Sequence, residues 1–149
     1  MNIKKVNIQD KKIITECDRL LREFLNSEKK YDENYIEQKE IKSLENDLSD
    51  DNNILLSCGD NNVLGFLFGY VENRKSFVSD VAHISFLYVR EEHRNKKIAT
   101  NLIDEFIKIV KKKNIHIIEV RAWNKNFVAK KMYENHGFNI NWCNYRKKI

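Results

Sequence analysis

The sequence predicts a mixed α/β fold, an α+β mixed sheet with elements in the order β-α-α-β-β-β-α-β-α-β. Three observations carry this reading. Apolar residues recur at helical spacing near the N-terminus and again after residue 96. Between them lie short apolar runs bounded by Gly, Asn, Asp and Ser, the pattern of strands joined by tight turns. Strand and helix patterns then alternate to the C-terminus, which calls for a parallel addition to an antiparallel first half. The 149 residues contain no proline and only four glycines, and no linker-like tract breaks them. A single domain over residues 1–149 is therefore expected.

The elements follow in order. Residues 3–8 read as a first strand. Asp10 is placed to cap a helix whose Ile13, Ile14, Cys17, Leu20, Leu21, Phe24 and Leu25 share one face. A second, shorter helix is expected in the acidic segment, with Ile41, Leu44 and Leu48 inward, after a loop carrying Tyr31 and Tyr35. Residues 54–58 and 63–71 form a hairpin across Gly59-Asp60-Asn61-Asn62, and residues 81–89 form a third run. A long helix over residues 96–112 turns Ile98, Leu102, Phe106, Ile109 and Val110 inward, with Asn114 a left-handed stop. Residues 115–122 are a buried strand, a helix runs from Asn126 to before Gly137, and residues 140–149 return as a final strand.

Composition narrows the function classes. With 42% hydrophobic and 33% charged residues, the chain is that of an ordinary globular protein. No apolar run nears the roughly 20 residues that cross a bilayer, and no apolar leader opens the chain, so no membrane partner and a cytoplasmic location are expected. Cys17, Cys58 and Cys143 are scattered, which fits reduced thiols. His93, His116 and His136 lack the spacing of metal ligands, and no metal is expected. The net charge is +5, yet residues 26–51 hold nine acids against four lysines. An acidic segment beside a basic body suits a cationic and an anionic ligand bound together. The basic runs Lys111-Lys112-Lys113 and Arg146-Lys147-Lys148 lack interleaved aromatics, and no nucleic-acid partner is expected.

Two stretches carry chemistry. In Leu87-Tyr88-Val89 followed by Arg94-Asn95-Lys96-Lys97-Ile98-Ala99-Thr100, an apolar strand passes through a basic turn into a helix. The unpaired N–H groups of a helix's first turn and its dipole attract phosphate, and Arg94, Lys96 and Lys97 add charge. In the second stretch, Asn126 begins a short helix, Ala129 and Met132 face inward, Tyr133 lies one turn beyond Ala129, and Gly137-Phe138 ends it.

Together these stretches resemble the acyl-CoA-binding core of the GNAT superfamily of N-acyltransferases. The phosphate turn of that family reads Arg or Gln, two residues, Gly, one residue, then Gly or Ala. Arg94 and Ala99 match it, whereas Lys97 stands where glycine is usual; a side chain pointing outward from the first helical turn would be tolerated there. The resemblance implies a GNAT-like acyl-CoA N-acyltransferase fold and an acetyl-CoA-dependent N-acetyltransferase acting by direct attack in a ternary complex. It implies that Leu87, Tyr88 and Val89 meet the pantetheine arm through backbone groups, one N–H there stabilising the oxyanion. Residues Arg94 to Thr100 would hold the pyrophosphate, Asn126 and Ala129 would touch the arm, and Tyr133 would protonate the leaving thiolate. None of the cysteines falls in either motif, so no acetyl-cysteine step is expected.

An alkylammonium must lose a proton before it attacks. Asp80, His83 and Glu119 are the candidate bases, with His83 preferred because imidazole titrates near 6.5. A regular strand puts His83 on the side of Ser85 and Leu87, a parity that a bulge would change. The resemblance places the acceptor site in the loop after the first helix, where Tyr31, Asp32, Glu33 and Tyr35 combine carboxylates with aromatic rings. That suits a small cationic amine such as a polyamine or an aminoglycoside. A protein N-terminus or lysine as acceptor, and a silent acyl-CoA-binding regulatory module, are the alternatives. A homodimer is compatible with the family, in which dimers are common.

Overall fold

The computed structural model describes residues 2–149. One five-stranded sheet runs in the order β1 (Ile3–Lys5), β2 (Asn53–Cys58), β3 (Gly65–Glu72), β4 (Val81–Val89) and β5 (Ile117–Val120). The first four strands pair antiparallel, and β5 adds to β4 in parallel. The helices are α1 (Lys11–Ser27), α2 (Ile98–Lys112) and α3 (Phe127–Asn135).

The sheet separates two apolar cores. On one face α1 buries Ile14, Cys17, Leu20 and Leu21 against Leu55, Phe66 and Phe68. On the other, α2 buries Ile98, Leu102, Ile103, Phe106 and Val110 against Ile54, Leu56, Leu67, Ala82 and Ile84. Each such side chain, fully buried, contributes about 1.5–3 kcal/mol, which explains why the two amphipathic helices lie where their stripes direct them. Met132, Tyr133 and Phe138 pack on the α2 side, so α3 shares that face.

One glycine sets the geometry of the sheet. A Cβ on Gly69 would lie 2.5 Å from the His83 carbonyl oxygen and 2.6 Å from the Phe106 ring. At this close approach the β3–β4 register shifts: Phe68 faces Phe86 and Gly69 faces Ile84, leaving Ser85 as an extra residue. The parity of β4 therefore reverses. His83 stands opposite Tyr70 on the face of Phe86 and Tyr88, not with Leu87, which packs on the α2 side. This corrects the regular-strand expectation.

A second irregularity opens the sheet. β4 and β5 pair only from Val81–Ile117 to Ile84–Val120, whereas β4 continues to Val89. Among the described residues no strand pairs with the outer edge of Ser85–Val89, and the two strands part there.

Two elements depart from the sequence reading. The acidic segment forms no α-helix; it contains 3-10 turns at Glu28–Tyr31 and Leu44–Asp47. Like charges one turn apart, Glu37 and Glu40 among them, oppose a helix there, and its few apolar residues bury little. Instead Asp18 anchors the segment, accepting hydrogen bonds from the Leu44 amide (2.8 Å) and the Ser43 hydroxyl (2.6 Å). Residues 140–149 belong to no helix or strand. Their alternation is too short to form a face, and Ile140, Trp142 and Tyr145 are exposed. Arg146 ties the segment to Asp32 at 2.5 Å.

Asn114 takes the left-handed conformation expected of a stop, with φ 59°. Cys17 and Cys58 are buried and Cys143 is exposed, all as free thiols. Among the described residues no helix is long and apolar enough to cross a membrane.

Candidate active site

The end of β4 leads into a turn braced by two arginines. Arg90 donates to the Val63 carbonyl (2.6 Å) and to Glu16 (2.9 Å), fixing the turn to the hairpin and to α1. Arg94 donates from Nε to the Val89 carbonyl (3.0 Å), and its guanidinium lies 5.6 Å from the centre of the Tyr88 ring. Lys96 reaches back to the Glu92 carbonyl. Asn95 and Lys97 both have positive φ, 59° and 62°. Lys97 is the residue before α2, not part of its first turn, and the expectation of an ordinary helical lysine is corrected. The chain must swing abruptly from the turn onto the helix axis, which needs a left-handed residue at this point. A lysine there costs about 1 kcal/mol, and this is the conformation for which glycine is the default residue. Lys97 caps no helix amide with its side chain. The N–H groups of Ile98, Ala99 and Thr100 thus form a donor set carrying the positive end of a 15-residue dipole.

Where β4 and β5 part, Leu87 faces α2 and Tyr88 faces α1. The Tyr88 hydroxyl approaches Glu23 at 3.4 Å, and burial pushes its phenol up. α3 packs on the α2 side through Met132 and Tyr133. The Asn126 Oδ1 accepts the Ala129 amide at 3.1 Å, which caps the helix and leaves the amide nitrogen, with the oxygen's second lone pair, for a ligand. Tyr133 is half-buried beside Phe138, and burial first, then the charge of Glu28, push its phenol up to about 12. A phenol so placed stays protonated at neutral pH.

The residues singled out for acceptor binding fall on the α1 side. Tyr31 carries the Lys30 ammonium 5.0 Å from its ring centre. Asp32 is held by Arg146, and that hydrogen bond together with the Asn34 amide brings its carboxyl down to about 2. Glu33 is exposed. Tyr35 meets Trp123 edge to face, ring centres 6.3 Å apart. A depression of about 410 Å³ lies between Asp32, Tyr35, Trp123 and Arg146.

His83 belongs to a different group. Its Nε2 is 2.6 Å from Glu72 and 3.3 Å from Arg74, its ring stacks on Tyr70 at 4.7 Å, and Arg74 also binds Glu119 at 2.6 Å. This network sits in the paired part of β4 and β5, opposite Glu119 and one residue before the pairing ends. Among the described residues no group of three or more His, Cys, Asp or Glu is placed to hold a metal ion.

Two residues of the site escaped the sequence reading. Glu28, first of the turn after α1, accepts a hydrogen bond from the Trp123 indole, and Trp123 lies between β5 and α3. Burial pushes the Glu28 carboxyl up, against the opposing charge of Lys30. Glu28 was visible only as one member of the acidic segment, and a contact across 95 positions leaves no local signal.

The acetyltransferase (GNAT) family model matches residues 16–138 of the chain. No curated protein matches it significantly. Among solved structures, an aminoglycoside acetyltransferase from an uncultured soil metagenomic sample is similar, with TM-score 0.81 and 16% identity over 99% of this chain and 95% of that one. A ribosomal-protein-alanine N-acetyltransferase from Brucella melitensis biovar Abortus superposes with TM-score 0.73 and 19% identity, covering 99% and 98%. An aminoglycoside N-acetyltransferase solved in complex with CoA gives TM-score 0.72 and 16% identity, covering 99% and 100%. At these identities the likeness establishes the fold.

Proposed function

The chain belongs to the GNAT acetyltransferase family, and from that premise we propose that it acts as a single domain moving an acetyl group from acetyl-CoA to a small cationic amine. The observation that carries the reading is the helix entrance at Lys97, where a donor set bare of side-chain caps adjoins the parted end of β4. The amides of Ile98, Ala99 and Thr100, with Arg94, Asn95, Lys96 and Lys97 around them, suit a pyrophosphate. From there a pantetheine arm would run along the unpaired edge of Leu87, Tyr88 and Val89, toward Asn126, Ala129 and Tyr133. A thioester placed at this edge offers its carbonyl oxygen to a β4 amide, and that oxygen gains charge as the amine attacks.

Tyr133 then supplies the proton for the departing thiolate. Its phenol is protonated across the neutral range, and it packs on the α2 side of the sheet. The acceptor would approach from the α1 side, where Asp32, Tyr35 and Trp123 line the depression together with Arg146, Lys147 and Lys148, and Tyr31 and Glu33 are their neighbours in sequence. The faces of Tyr35 and Trp123 favour a cation there, and the acidic segment supplies negative charge nearby, although the Asp32 carboxylate is already paired with Arg146.

The test has two stages. Titration calorimetry with acetyl-CoA should show one site per chain, weakened by Lys97→Glu but not by Lys112→Glu. Thiol release with a panel of polyamines, aminoglycosides and neutral or acidic amines should then show turnover on the cationic members. No heat with acetyl-CoA, or turnover on neutral and acidic amines alone, would overturn the reading.

A further inference from the structure

We propose that Glu28 is the base that takes the proton from the attacking amine, with Trp123 holding its carboxylate toward the gap between β4 and β5. This rests on the acetyltransferase reading and deepens it.

The first argument is position. Glu28 follows the last residue of α1, on one face of the sheet, while Tyr133 packs on the opposite face beside α2. Glu28 nevertheless accepts a hydrogen bond from Trp123, on the segment between β5 and α3 that leads to Tyr133. The route lies past the end of β4–β5 pairing at Ile84–Val120, because Trp123 stands just beyond β5 and donates to Glu28 from there. An acid and a carboxylate thus view the same opening from its two sides, as a base and an acid acting on one thioester must.

The second argument is chemistry. A carboxylate at the C-terminal end of a helix meets the negative end of the dipole, and burying half of it adds to the cost, so folding alone does not favour it. Trp123 occupies Oε2, and Oε1 has no hydrogen-bond donor among the described residues. One oxygen is therefore fixed while the other remains for an ammonium. Burial raises the carboxyl above its ordinary range, which makes it a better proton acceptor than a solvated glutamate. The groups facing it are Lys30 of its own turn, Tyr35, Trp123 and Tyr133, with the Asp32–Arg146 pair, Lys147 and Lys148 around the adjoining depression. By contrast, the His83 Nε2 lies between Glu72 and Arg74.

The protons balance. The ammonium gives one proton to Glu28, and its freed lone pair forms the bond to the acetyl carbon. The C–S bond breaks as Tyr133 gives its proton to sulfur. The second proton on nitrogen returns to the Tyr133 oxygen, leaving the amide and free thiol. Glu28 releases its proton to solvent, so the net change is one proton per turnover.

The measurement pairs rates with a direct titration. In a Trp142→Phe background Trp123 is the sole tryptophan, and its fluorescence should report protonation of Glu28, a transition that Glu28→Gln abolishes. With an amine the unsubstituted protein acetylates, Glu28→Gln should lower kcat about 100-fold and remove the acidic limb of the pH–rate profile. Its acetyl-CoA Kd should stay within twofold, and Glu28→Asp should restore part of the rate. An acidic limb that survives in Glu28→Gln, or a kcat within threefold of the parent, would overturn the assignment alone. Failure of the unsubstituted protein to acetylate any amine would instead overturn the acetyltransferase reading, and the assignment with it.

Discussion

The backbone N–H of Phe138 donates to the carbonyl of Tyr133 at 3.0 Å, and the two rings meet edge to face with centres 5.6 Å apart. Gly137, at φ 83°, donates to Glu134 at 2.9 Å between them. These bonds and the ring contact make a Schellman stop with its hydrophobic pair. The device that ends α3 therefore also fixes the ring of the proposed acid.

Tyr133→Phe should lower kcat at least tenfold while leaving the acetyl-CoA Kd within twofold, read by thiol release and calorimetry. A linked effect appears in stability. The phenol is raised from 10 to about 12 in the fold, so the native state keeps its proton where the unfolded chain has lost it. That contribution is intact below pH 10 and is lost as pH rises toward 12, a fall on the order of 2–3 kcal/mol. Urea unfolding across this window should show a smaller alkaline loss in Tyr133→Phe than in the parent.

Lys97→Gly should stabilise the fold. The left-handed φ of 62° costs a lysine about 1 kcal/mol that glycine does not incur. Calorimetric melting should rise by about 2–4 °C, whereas Lys97→Ala should show no such gain. If both variants melt alike, backbone strain at this residue is not the reason.

Gly69→Ala tests the bulge. The new methyl would meet the His83 carbonyl and the Phe106 ring, neither of which can withdraw without moving β4 or α2. A destabilisation of about 1–3 kcal/mol in urea is expected. Because the same crossing sets the parity of β4, the variant should also disturb the contacts of Tyr70 with His83, seen as shifted His83 ring resonances.

What could be read from the sequence divides by range. The strand over Val81–Val89, the helical stripe of α2 and the stop at Gly137 are written in adjacent residues, and periodicity with turn chemistry suffices for them. The resemblance pointed to the turn before α2 as the proposed phosphate site, but only the φ of Lys97 explains why glycine is usual at that position. The parity of His83 turned on a glycine packed against Phe106, a tertiary crowding invisible in β4 itself. The Glu28–Trp123 bond joins distant segments, and the acidic segment lost its helix to anchoring by Asp18. Long-range polar contacts of this kind have no period to detect.

The Asp32–Arg146 pair makes attachment of the C-terminal segment depend on pH. Arg146, with help from the Asn34 amide, holds the Asp32 carboxyl down to about 2, below its value in an unfolded chain. Its stabilising effect is therefore complete above the usual carboxylate pKa of about 4 and disappears as pH falls toward 2. Asp32 is only 10% exposed but Arg146 is 54% exposed, so salt should weaken the pair as well. Amide exchange over residues 140–149 should be slow at neutral pH relative to Asp32→Asn, after correction for intrinsic rates. The two proteins should converge near pH 2. Equal exchange in parent and variant at neutral pH would mean that this ion pair does not hold the segment in place.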